Sequence, residues 1–69
     1  MLRINEIIKA LRKQRGWTMD RLSAKAYVSR THISNIESGR IGPSLATAEA
    51  LLEAMGYELT VQPKREKLK

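Results

Sequence analysis

The side chains best suited to chemistry in this 69-residue chain lie between Thr18 and Arg40. Arg30, Thr31, His32, Ser34 and Asn35 are short or polar, and only Arg30 carries a full charge. Arginine can give two donors to guanine O6 and N7, asparagine can pair with adenine N6 and N7, and a threonine methyl can meet a thymine methyl. Thr31 and Asn35 stand four apart, which puts them on nearly one face of a helix. Arg30 and Thr31 fall in its first turn, where a helix laid in the major groove reaches base edges. His32 and Ser34 flank them and suit bases, phosphate or sugar. His32 has no second histidine and no cysteine to share a metal or a proton relay, so no metal site is expected.

These residues need a support, and the same stretch supplies one. Thr18 can N-cap a helix over 18–26, with Asp20 suited to its positive end. Ser29 can cap a second helix over 29–38, and Gly39 stands where a helix ends in a left-handed residue. Leu22, Ala26, Val28, Ile33 and Ile36 form the inward faces. Helix starts and loops are where phosphate-positioning groups are expected: Thr18, Met19 through its backbone N–H, Ser29, Ser38 and Arg40.

Upstream, Ile4, Ile7, Ile8 and Leu11 repeat at helical spacing over about 3–15, with Asn5 or a residue before it opening the helix and Gly16 closing it. Trp17 is expected in the core, covering the junction of the first two helices; the alternative is stacking on nucleic acid. Downstream, Pro43 suits the first position of a helix over 43–55. Leu45, Ala48, Leu51, Leu52 and Met55 make its apolar stripe, with Met55 core rather than cofactor ligand. Tyr57, Leu59 and Val61 alternate with polar residues, a strand pattern near 57–61. A lone strand cannot satisfy its backbone, so pairing with a second copy across a two-fold axis is expected. The alternative is a fifth short helix or an extended tail packed on the core. Pro63 ends any strand, and 62–69 reads as a frayed basic tail.

Composition narrows the classes. Residues 1–40 hold nine Lys/Arg against three acids, residues 41–61 hold Glu49, Glu53 and Glu58 with no base, and residues 62–69 hold four bases and one acid. A basic half beside an acidic patch fits one face for a polyanion and another turned away, or a plain solubility surplus. Without cysteine there is no disulfide framework or thiolate metal site, which fits a cytoplasmic setting. No apolar run approaches bilayer length, and the charge-interrupted start is not a signal peptide. No carboxylate pair, nucleophile with a base, or phosphate-cradling glycine loop is present. An enzyme is not expected, and no cofactor.

Thr18, Leu22, Val28, Ser29, Ile33, Ser34, Ile36, Glu37 and Gly39 together resemble the phage-repressor/Cro-type (XRE-like) helix-turn-helix family. The similarity runs from about Ile4 to about Gly56. It implies an all-α, four-helix domain over 1–61 and sequence-specific binding of double-stranded DNA, as a dimeric repressor inserting residues 29–37 into the major groove. It also implies an ion pair between Arg12 and Glu37. Single-domain relatives such as antitoxins of the HipB type imply an alternative: an antitoxin that binds a toxin protein through Glu49, Glu53 and the strand edge and regulates its own operon. Three residues depart from the family pattern. Met19 replaces a glutamine, Ser23 replaces a small alanine at the helix crossing, and Tyr27 replaces the glycine of the turn. A tyrosine with positive φ there should cost roughly 1–2 kcal/mol, unless the turn bends differently or the ring recovers the loss by packing.

Overall fold

A computed structural model describes residues 3–60. Four helices follow one another: α1 (Ile4–Gln14), α2 (Met19–Ala26), α3 (Arg30–Glu37) and α4 (Leu45–Ala54). This is the all-α architecture expected from the sequence. α2 packs on both α3 and α4, and α1 packs on the same two helices.

Serine and threonine start three of the helices. Thr18 Oγ1 accepts from the Arg21 N–H at 3.0 Å, Ser29 Oγ from His32 N–H at 3.1 Å, and Ser44 Oγ from Thr47 N–H at 3.1 Å. Each satisfies an amide that the helix itself leaves unpaired. α1 opens differently. Arg3 stands at its cap, with its backbone N–H donating to Glu6 Oε1 at 3.3 Å, so of the two expected openings it is a residue before Asn5 that starts the helix. α4 likewise starts later than Pro43, because the Ser44 hydroxyl supplies the cap that a proline lacks.

α1, α3 and α4 end in one motif, a left-handed glycine followed by a backward bond. At the end of α3, Gly39 (φ 83°) donates to the Ile36 carbonyl at 3.1 Å and Arg40 to the Asn35 carbonyl at 3.0 Å. This pairing satisfies the last carbonyls of the helix and turns the chain sharply. α2 is the exception: its terminal left-handed residue is Tyr27, at φ 59° and ψ 38°.

The core is one cluster built from every helix. Ile8, Leu22, Ala26, Ile33, Ile36, Leu51, Leu52 and Met55 form it, with Ile4, Leu11, Trp17, Met19, Val28, Ala54 and Leu59 packed at its margin. The stripe expected on α4 needs one correction. Leu45 is 70% exposed. It sits in the first turn of α4, one residue past the cap, and the buried face begins at Ala48. After Gly56, residues 57–60 carry no regular element, and there is no strand among the described residues. Tyr57 is exposed, while Leu59 packs at the core margin. Val61 and the basic segment 62–69 lie outside the described residues.

Candidate nucleic-acid interface

The scaffold under α3 is tied by a buried ion pair. Arg12, at the end of α1, donates from Nε to Glu37 Oε2 at 2.7 Å and from Nη2 to Glu37 Oε1 at 2.8 Å. Its remaining terminal nitrogen donates to the Trp17 carbonyl at 2.7 Å. One side chain therefore joins the end of α1, the α1–α2 turn and the end of α3. Both partners are buried, and no buried side-chain nitrogen or oxygen among the described residues lacks a partner. The hydrogen bonds that Arg12 donates to Glu37 raise the Arg12 pKa; burial opposes this, and the carboxylate's charge adds to it. Trp17 is half-buried at the core margin, with the guanidinium groups of Arg15 and Arg21 at 5.4 and 5.5 Å from its ring centre.

On this base α3 shows a polar face. Arg30, Thr31 and Ser34 are exposed, while His32 and Asn35 are half-buried. Thus the structure brings Arg30, Thr31 and Ser34 onto open surface and sets Asn35 and His32 at its edge. Asn35 Oδ1 lies 3.5 Å from Arg40 Nη1, which draws the loop arginine toward the far end of the same face. Ser38 Oγ donates to the Asn35 carbonyl at 3.1 Å. Thr18 and Ser29 use an oxygen lone pair in capping, and each hydroxyl proton stays free to donate to an anion. Met19 is half-buried against the core.

One feature was not read from the sequence. Arg30 Nε lies 3.2 Å from Asp20 Oδ1, an exposed ion pair joining the first turns of α3 and α2. Asp20 had a local reading only, as an acid at a helix start. No periodicity within one helix links residues ten apart on two helices. Tyr27 keeps the left-handed turn, and its side chain gains nothing from packing: the residue is 94% exposed. Both routes by which the strain could be avoided are therefore closed.

Among the described residues, no three His, Cys, Asp or Glu side chains gather as metal ligands. No helix there is long and apolar enough to cross a membrane.

Comparison with known proteins matches a helix-turn-helix family model to residues 8–62. The chain is 40% identical over 57 residues to the immunity repressor protein of Bacillus phage phi105, covering 83% of this chain and 40% of the repressor. It is 39% identical over 57 residues to the competence pilus inhibition repressor of Acinetobacter baylyi, covering 83% of this chain and 52% of that one. Similarity also extends to the HTH-type transcriptional regulator DdrOP3 of Deinococcus deserti, at 33% over 60 residues, 87% of this chain and 45% of the regulator. The chain thus spans about half the length of the curated relatives it matches.

Proposed function

This chain belongs to the helix-turn-helix family, and on that premise we propose that it is a transcriptional repressor that binds double-stranded DNA in the cytoplasm. The observation that carries this reading is the exposed Arg30–Thr31–Ser34 face, held on a capped helix whose far end is locked by Arg12 and Glu37. A rigid support matters, because base reading requires side chains presented in one fixed register. The relatives' names, two of them repressors, support the direction of regulation.

α3 enters the major groove. Arg30, Thr31 and Asn35 meet base edges, with Ser34 and His32 beside them. Thr18, the Met19 backbone, Ser29, Ser38 and Arg40 position the phosphates. Two copies bind together, with the exposed Tyr57 at the contact between them, so that two α3 helices meet half-sites about 34 Å apart.

Selection from a randomised duplex pool, followed by sedimentation of the complex, tests the reading. A symmetric site bound by two chains is the expected result. Arg30→Ala should cost on the order of 1–3 kcal/mol on the selected duplex and relax one base pair of the site. A chain that enriches no sequence from the pool would remove the proposal.

A further inference from the structure

Asp20 is the only aspartate of the chain. Between residues 7 and 48 the acids are Asp20 and Glu37, and Glu37 is buried on Arg12. Asp20 is therefore the one exposed carboxylate on α2 and α3, the helices that carry the interface. An exposed negative charge there opposes a polyanion, and its removal would strengthen attraction to any phosphate backbone. Its position suggests what it does instead. Oδ1 lies 3.2 Å from Arg30 Nε, the inner edge of the guanidinium. With Nε engaged, the two terminal nitrogens are the fork left free, and a bidentate pair of donors of that kind can span guanine O6 and N7.

We propose that Asp20 is a positioning residue for specificity: it holds Arg30 by Nε so that the terminal fork points out of α3 toward a base. It also penalises other uses of Arg30. A guanidinium that swings onto a phosphate must leave Asp20 and set a carboxylate beside the backbone. Asp20 thus lowers affinity for every duplex but lowers it least where Arg30 finds its base, so discrimination rises. This rests on the assignment of Arg30 to base reading. The geometry suits the task because both groups are exposed, with side chains 65% and 78% accessible. The pair is then weak in the free protein and stiffens only when DNA excludes the water around it.

The test is competition binding on the selected duplex and on a random-sequence duplex of equal length. Arg30→Ala comes first: a collapse of the selected-to-random ratio upholds the base-reading assignment, and no change removes that assignment itself. With it upheld, Asp20→Asn should tighten random-duplex binding and lower the ratio about fivefold, the scale of one exposed ion pair. Asp20→Glu, which keeps the carboxylate, should restore most of the ratio. In an Arg30→Ala background, Asp20→Asn should leave the ratio where it was. If Asp20→Asn strengthens both duplexes by one factor, the residue is a plain negative charge and the proposal fails. An equal fall in the ratio with Arg30 absent would overturn it too, because Asp20 would then act through another group.

Discussion

Tyr27 is the residue at which local chemistry and backbone path disagree most. A left-handed conformation brings Cβ of an L-residue against the following carbonyl, at a cost of roughly 1–2 kcal/mol, and only glycine escapes it. A buried ring would offset part of this, but at 94% exposure the ring offsets nothing. The turn keeps its path because the packing of α2 on α3 demands it. Leu22 and Ala26 on one helix and Ile33 and Ile36 on the other are all buried. Tyr27→Gly should therefore stabilise the domain by about 1 kcal/mol, the strain relieved less the greater freedom of glycine in the unfolded chain. Tyr27→Ala should be near neutral, since it keeps Cβ and loses only an exposed ring. Denaturant unfolding of the two variants decides this, and a glycine variant no more stable than the alanine one would show that no strain is stored there.

Between elements the controlling contact is Arg12 with Glu37, twenty-five residues apart and on different helices. Removing one partner leaves a buried charge alone, so Glu37→Gln should cost about 3 kcal/mol, a large share of the stability of so small a domain. The double change Arg12→Met with Glu37→Leu should cost much less than the two single changes added together, because neither charge is then stranded. Thermal unfolding of the three variants reads the coupling. The raised Arg12 pKa fixes the pH range. A cation favoured by folding contributes fully below its unfolded pKa and is lost only as pH climbs through the raised value. For Arg12 that loss belongs to strongly alkaline solution.

The legible part of this level was local. Thr18 and Ser29, with hydroxyls one turn ahead of an apolar repeat, and Gly16, Gly39 and Gly56 behind one, mark helix ends by chemistry that acts within a few residues. What escaped depends on neighbours distant in sequence. Leu45 continues the α4 stripe at helical spacing, yet in that first turn it is left largely exposed. Asp20 and Arg30 meet because two helices cross.

At the scale of the whole molecule the open quantity is how many chains engage DNA at once, and salt can count them. Each cation that neutralises a phosphate releases counterions, and log K falls against log salt with a slope of about −0.9 per such contact on duplex DNA. Arg40 suits this measurement. It is exposed in the loop after α3, and its Nη1 lies 3.5 Å from Asn35 Oδ1, an exposed link worth little to the fold. Arg40→Gln should weaken selected and random duplexes alike, in contrast to Arg30→Ala, and its main trace should be in the slope. In a complex of one chain the slope flattens by about 1; in a two-fold complex every substitution acts twice, and it flattens by about 2. The expected result for this chain is the larger change on the selected duplex. Proline at Thr60, placed to disrupt the proposed contact between copies, should return the change to the smaller value. A flattening of about 1 on a symmetric site, unaltered by that proline, would mean that each chain binds its half-site alone.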